Sequence, residues 1–401
     1  MALEVAASTQ RAGSIDKDVR RDALDMRHVR FSLHESAVRI GGNRIATLQP
    51  KTAKWRTRSM SKVEDLTPEE VTQLASTLLY WSGIPTFLRC PYRPDMSGTD
   101  IGLIGFPYSG GNHIERMQYL GPRAVRHRSS SYHRHLREFR IDPFAVLRVS
   151  DLGDVPLPRV FNPDLTAEDA ENFYRKVHER GIVPITIGGD HSVTTPILRA
   201  IAGKQSRHGG PIGMIHFDSH ADTATPFGGT RHHAGAAFRI GVEEGLIDPA
   251  RTVQIGFHGP QPAPYIDDWS RERFTVIALQ DLVENGIEQV ASDVRRVVGS
   301  GPTYLSFDLD VLDPAYAPAA ADPEINGMTT RELFALLNKL RGVNLIGADI
   351  VCFCPPLDNA AQTTAMTISQ IMLQFVFHMA EYRTQHGDAL AQSAVAKTTT
   401  A

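Results

Sequence analysis

The amino-acid sequence predicts an α/β fold, a doubly wound and mostly parallel sheet with helices on both faces. Three observations carry this. Short apolar runs rich in β-branched residues recur from Ile101 onward, and near-continuous apolar strands are what a parallel sheet buried on both faces requires. Segments of helical periodicity separate them, the alternation expected of βαβ units. Clusters of Asp and His follow three of the runs, at the carboxyl ends where an open α/β sheet forms its ligand crevice.

In chain order the expected strands are Ile101–Phe106, Val146–Val149, Val183–Ile187, Ile212–Phe217, Thr252–Ile255, Phe274–Ile277, Thr303–Phe307 and Leu345–Ile350. Thr166-Ala-Glu-Asp is expected to open a helix with an N-cap and an acidic first turn. Thr329-Thr-Arg-Glu opens another, with Leu333, Leu336, Leu337 and Leu340 on one face and Gly342 as its stop. The last helix is expected over Ala361–Tyr382. Upstream, Thr67-Pro-Glu-Glu reads as a capped helix start running to about Tyr80. The expected organisation is an extension over 1–95, pinned to the body or to a neighbouring subunit by Trp55 and Trp81. One large domain over 96–386 and a small polar, mobile tail over 387–401 complete it.

Composition narrows the function classes. The chain has 401 residues, 42% hydrophobic and 22% charged, as an ordinary globular protein does. A formal net charge of −3 provides no bulk positive field for nucleic acid. Three cysteines, Cys90, Cys352 and Cys354, are too few for a disulfide framework and fit a reducing compartment; Cys90 and Cys354 read as packing residues. The opening residues lack an apolar core, and Ala365–Met379 is interrupted by Ser369, Gln370, Gln374 and His378. Neither a secretory signal nor a membrane span is expected, and the expected location is cytoplasmic.

The three clusters are Gly188-Gly-Asp-His-Ser192, His216-Phe-Asp-Ser-His-Ala-Asp222 and Ser306-Phe-Asp-Leu-Asp-Val-Leu-Asp-Pro314. Asp218, His220 and Asp222 are spaced by two, as are Asp308 and Asp310, so an extended backbone turns each set to one side. Four carboxylates gathered in a crevice repel one another unless protonated or neutralised. Two divalent cations cancel them, and His191 and His220 add neutral nitrogen ligands. A mixed oxygen and nitrogen set suits Mn²⁺, Ni²⁺, Co²⁺ or Zn²⁺ more than Ca²⁺. His216, within its strand, reads as a satisfied buried histidine. Asp190 and Asp313 read as loop or supporting carboxylates.

At these motifs the sequence resembles the ureohydrolase family, which comprises arginases, agmatinases and related guanidino-compound hydrolases. Gly83-Ile-Pro-Thr-Phe-Leu-Arg89, Gly121-Pro-Arg-Ala-Val-Arg126 and Asp151-Leu-Gly-Asp154 are of the same type. The likeness runs from about Ile101 to Arg383. The agmatinase and guanidinase branches look closer than true arginases, and the long extension is similar to that of bacterial guanidine hydrolases. The resemblance implies the three-layer arginase-like arrangement and two divalent ions, Mn²⁺ or Ni²⁺. One would be held by His191, Asp218, Asp222 and Asp308, the other by His220, Asp218, Asp308 and Asp310, with Asp218 and Asp308 bridging. Water activated by the cations would attack the planar guanidinium carbon. Asp310 would shuttle the proton as an amine departs. A trimer or hexamer, of like or unlike subunits, is implied by the same likeness.

Three departures lie on the substrate side. Relatives carry a glutamate that pairs with the guanidinium in a motif like Asp-x-x-Glu-x-x-Pro. Here the segment is Asp349-Ile-Val-Cys-Phe-Cys-Pro355, and Cys352 cannot replace a bidentate carboxylate. In His232-His-Ala-Gly-Ala-Ala-Phe-Arg239 the family histidine falls on Ala234, one place from His233, which is expected to reach the site through a bulge; His232 is the weaker candidate. In Ala319-Ala-Ala-Asp-Pro-Glu324 two family glycines are missing, which stiffens the loop. Asn112, His113 and Glu115, in the loop after the first strand, are candidate substrate contacts. The expected substrate is therefore a compact or delocalised guanidino compound, guanidine or a biguanide such as metformin, rather than agmatine or guanidinobutyrate. The competing expectations are an agmatinase- or guanidinobutyrase-type ureohydrolase, and a metal-binding subunit that needs a paralogue for activity.

Overall fold

The computed structural model describes residues 82–113 and 116–398, with side chains to Gly387. The helix expected from Thr67, the anchors Trp55 and Trp81, and Glu115 lie outside the described residues.

Eight strands form one sheet: β1 (Ile101–Gly105), β2 (Val149–Asp154), β3 (Val183–Ile187), β4 (Ile212–Phe217), β5 (Ile247–Phe257), β6 (Thr275–Ala278), β7 (Thr303–Asp308) and β8 (Leu345–Val351). Their order is β2-β1-β3-β8-β7-β4-β5-β6, and every described pairing is parallel. The central strands β4, β7 and β8 are buried at every position, as helices on both faces demand. The second expected strand is displaced. Pro143–Val146 is a short helix, capped by the Asp142 side chain on the Phe144 amide and begun by proline, so the strand starts only at Val149.

Helix signals fare similarly. Thr329 and Glu332 form a reciprocal capping box at the start of Thr330–Lys339. Leu333, Leu336 and Leu337 of that helix are fully buried, each contributing about 1.5–3 kcal/mol of transfer free energy. The helix expected from Thr166 instead begins at Pro163. Asn162 is its N-cap, accepting from the Leu165 amide, and Thr166 lies buried in the first turns with its hydroxyl donated to the Arg159 carbonyl. The last helix begins at Thr363 and runs to Thr398, past Tyr382 and through the stretch read as a tail from 387. Cys90, Cys352 and Cys354 are free and buried. Among the described residues no helix is long and apolar enough to cross a membrane.

What positions the site is the strand order. β3, β8, β7 and β4 are consecutive neighbours at the centre of the sheet, although the chain visits them in the order β3, β4, β7, β8. Their ends stand in register, Ile187 beside Ile350, Asp308 beside Val351 and Phe217 beside Phe307. The segments that leave these four carboxyl ends carry His191, Cys352, Asp308 with Asp310, and Asp218 with His220 and Asp222.

Candidate metal centre

After β3 the chain turns through Gly188 and Gly189. A Cβ at Gly189 would stand 1.4 Å from the Tyr108 carbonyl oxygen, so only glycine lets the strand pass here. Asp190 then caps the short 3₁₀ turn His191–Val193 through the Ser192 amide at 2.9 Å, and it also accepts from the Gly111 amide at 2.8 Å. Asp190 is a buried loop carboxylate. Asp313 is another loop carboxylate, accepting from the amides of Asn326 and Gly327.

The turn delivers His191 into the centre of the cluster. Its Nδ1 lies 2.9 Å from Asp222 Oδ2, 3.1 Å from Asp308 Oδ2 and 3.2 Å from Asp218 Oδ2. Its Nε2 lies 2.8 Å from Ser306 Oγ. The Ser306 hydroxyl donates to Asp349 Oδ1 at 2.7 Å. With its one proton committed to a carboxylate, the serine oxygen accepts from Nε2–H. Nδ1 is then the nitrogen left to meet the three carboxylates, buried and outside the ordinary hydrogen-bond network. Three carboxylate oxygens within 3.2 Å of one buried nitrogen are unfavourable unless a proton or a cation stands among them. The donor set therefore fits a divalent ion.

In the second half of the cluster the histidine nitrogen is hydrogen-bonded. His220 Nδ1 lies 3.0 Å from Asp310 Oδ2 and 3.4 Å from Asp218 Oδ1. Asp310 is held by the Ser219 amide at 3.0 Å and the Ser219 hydroxyl at 2.8 Å. Backbone amides orient two more of the acids: His220 N–H donates to Asp218 at 2.6 Å and Asp310 N–H to Asp308 at 3.0 Å. Asp222 adopts φ 49, a left-handed conformation that aspartate tolerates. Ligand-type atoms converge in the sets His191–His216–Asp218, His191–Asp308–Cys352 and Asp218–His220–Asp310, within 4.8 Å in each.

Electrostatics follow from burial and crowding. Burial, then the charges of Asp218 and Asp308, lifts the Asp310 carboxyl well above the usual range. Asp308 is raised by burial and by Asp218. Asp218 goes the other way, because His216, His191 and His220 around it outweigh burial. For His191 burial opposes the charged form, yet Asp218, Asp222 and Asp308 hold its pKa well above the ordinary value. Without a cation the cluster retains protons; a metal has to displace them.

Other expected site residues fall as follows. His216 is fully buried and satisfied, between Asp218 Oδ2 at 2.8 Å and Gln254 Nε2 at 2.9 Å. His233 donates from Nε2 to the Thr225 carbonyl at 3.0 Å, so its ring is engaged in its own loop. The adjoining Ala234 amide donates to the Gly111 carbonyl at 2.9 Å and ties that loop to the one bearing Asn112. His232 is buried beside a small cavity lined by Phe106, Tyr108 and Ser192, with Asp164 at 3.9 Å. Asn112 donates to Asp322 Oδ2 at 3.3 Å, and His113 is exposed. Cys352 is 5% exposed, at φ 65, with its sulfur within 4.8 Å of ligand atoms of His191 and Asp308. The alanine loop is pinned to it: Ala321 N–H donates to the Cys352 carbonyl at 2.9 Å and Cys354 N–H to the Ala319 carbonyl at 2.8 Å.

Sequence reasoning did not find the support behind His191. Asp349 accepts from Ser306, from the Thr194 hydroxyl at 2.8 Å and from the Tyr304 hydroxyl at 2.9 Å. The signal was present as an aspartate inside the otherwise apolar run of β8, and a serine two residues before Asp308 on β7, hence on the same face.

An all-parallel α/β sheet with a buried His–Asp cluster across its four central carboxyl ends defines the class, a hydrolase built around a candidate metal centre. The family model described as "Arginase family" matches residues 99–378, and the chain belongs to that family. Among curated relatives, guanidinopropionase of Pseudomonas aeruginosa is 43% identical over 309 residues, 77% of this chain and 95% of the relative. Among solved structures, proclavaminate amidino hydrolase from Streptomyces clavuligerus is 33% identical with TM-score 0.71, covering 76% of this chain and 99% of that one. A variant of Trypanosoma cruzi formiminoglutamase, solved with two Mn²⁺, is 25% identical with TM-score 0.61, covering 70% of this chain and 93% of that one.

Proposed function

We propose that this chain hydrolyses a C–N bond of a small guanidino compound, releasing urea or a urea derivative with an amine or ammonia. Two divalent ions, Mn²⁺ or Ni²⁺, would be held by His191, Asp218, Asp222, Asp308, His220 and Asp310. The observation that carries the reading is the buried Nδ1 of His191 facing three carboxylates. The Mn²⁺ pair named for the formiminoglutamase supports the same metal count. When bound, such ions lower the pKa of water and supply a nucleophile at neutral pH.

The chain's own residues do the rest. His191 is oriented by the Ser306–Asp349 pair, which fixes which nitrogen faces the centre. Asp310, held through one oxygen by Ser219, keeps its other oxygen toward His220 and would carry a proton to the departing amine. Asn112 and His113 would contact substrate from the loop after β1, and His233 from its neighbouring loop. A homo- or hetero-oligomer is part of the proposal.

The name of the guanidinopropionase relative favours a linear guanidino acid, or a close analogue such as guanidinobutyrate or agmatine. A second reading, guanidine or a biguanide such as metformin, is favoured by Cys352 at the position of the carboxylate that would pair with a linear guanidinium. The test is a panel of guanidine, metformin, guanylurea, agmatine, guanidinopropionate and guanidinobutyrate with Mn²⁺- and Ni²⁺-loaded protein, scored by urea and amine release. Turnover of the linear compounds alone supports the first reading, and turnover of the compact ones alone the second. Turnover only after adding a paralogous subunit would replace both with the subunit reading.

A further inference from the structure

The six residues above leave two potential ligands of the cluster unused, His216, which is satisfied by Asp218 and Gln254, and Cys352. Cys352 follows β8 directly, and its Sγ, a nitrogen of His191 and a carboxylate oxygen of Asp308 lie within 4.8 Å of one another. A metal bonded to both partners would have the sulfur beside it. His191 provides the independent sign that an atom belongs at this point, because its Nδ1 is buried, 1% exposed as a side chain, and unpartnered. Cys352 is buried, 5% exposed, so its sulfur faces these two ligand atoms and not solvent. Two backbone hydrogen bonds clamp the residue, Cys352 N–H to the Gly189 carbonyl at 2.7 Å and Ala321 N–H to the Cys352 carbonyl at 2.9 Å. They hold it at φ 65, a conformation uncommon for a residue with a Cβ, so the direction of the side chain is dictated by its neighbours.

We propose that Cys352 is a sulfur ligand of the metal held by His191 and Asp308. Binding converts Cys–S–H and M²⁺ into a Cys–S–M bond, with one proton released to solvent. Thiolate favours softer ions over Mn²⁺, so the centre prefers Zn²⁺, Co²⁺ or Ni²⁺ more strongly than one built from oxygen and nitrogen alone. The position that relatives give to a substrate-binding carboxylate becomes part of the metal shell. This inference rests on the metal centre proposed above, and its test separates the two.

The full chain is stripped of metal and loaded with Co²⁺, and bound metal and near-ultraviolet absorption are both measured. The expected result is a sulfur-to-cobalt charge-transfer band that disappears in Cys352→Ser while cobalt remains bound. Zn²⁺ affinity relative to Mn²⁺ should fall by about tenfold or more in that variant, the lower end of what a site loses with a supporting residue. Bound cobalt without the band, or a band that survives Cys352→Ser, overturns the sulfur ligand and leaves the metal centre standing. No cobalt bound overturns both. Should Cys352→Ser fail to fold, ¹¹³Cd resonance of the unaltered chain decides: a shift in the sulfur-ligated range supports the proposal, and one in the oxygen–nitrogen range refutes it.

Discussion

His191 Nε2 donates to Ser306 Oγ across 2.8 Å, and this contact decides which face of the imidazole meets the carboxylates. Ser306 accepts because its own proton is given to Asp349. Ser306→Ala removes the acceptor and frees the ring to turn. Metal affinity should fall roughly 10–100-fold, the usual cost of losing a group that orients a ligating histidine. Competition against a chelator measures this, and an unaltered circular dichroism spectrum excludes misfolding as the cause.

Asp308 stands between His191 and the backbone of Asp310, and its charge is among those that lift the Asp310 carboxyl. Asp308→Asn removes one charge from a crowded, buried set. The metal-free variant should melt at a higher temperature than the metal-free parent. Its gain on adding metal should vanish, whereas the parent should gain about 2.7 kcal/mol at a hundredfold excess over Kd. Thermal melts with and without Mn²⁺ check both halves.

His378, on the last helix beside Phe139 and Gln374, supplies a pH dependence away from the centre. Burial holds its imidazole down at about 4 from an ordinary 6.5. Between those values the unfolded chain binds the proton and the folded chain does not. Its contribution is therefore complete above pH 6.5 and is lost as pH falls toward 4. Urea unfolding of metal-free protein at about pH 7.5 and about pH 5 should show the decline, and His378→Leu should make it shallower.

Cys352→Glu tests substrate choice. A carboxylate at this position could pair with a linear guanidinium through charge-assisted hydrogen bonds worth about 1.5–3 kcal/mol. kcat/KM for guanidinobutyrate or agmatine should rise by roughly 10–100-fold relative to guanidine. An unchanged ratio between linear and compact substrates would mean that position 352 does not choose between them.

Much of this architecture is legible in the chain because a parallel sheet advertises itself. Val183–Ile187 and Ile212–Phe217 begin and end where their apolar runs do, since both faces of each strand are covered. Legibility fails where local chemistry competes. Pro143 and Asp142 make a helix of residues whose hydrophobicity suggests a strand. Partly exposed residues, Asp248 to Arg251, hide the first part of β5. In the site, the Asp and His ligand candidates are readable because period-two spacing after a strand keeps side chains together. The Ser306–Asp349 support joins β7 to β8, neighbours only in the sheet, and no local pattern reports such a pairing.

Metal content in parent and Asp308→Ala protein bears most directly on the two-metal centre. After loading with Mn²⁺ or Ni²⁺ and removal of free ions, elemental analysis should find two ions per parent chain and a loss of bound metal in Asp308→Ala. Fewer than two in the parent, or both retained in the variant, would contradict the centre described here.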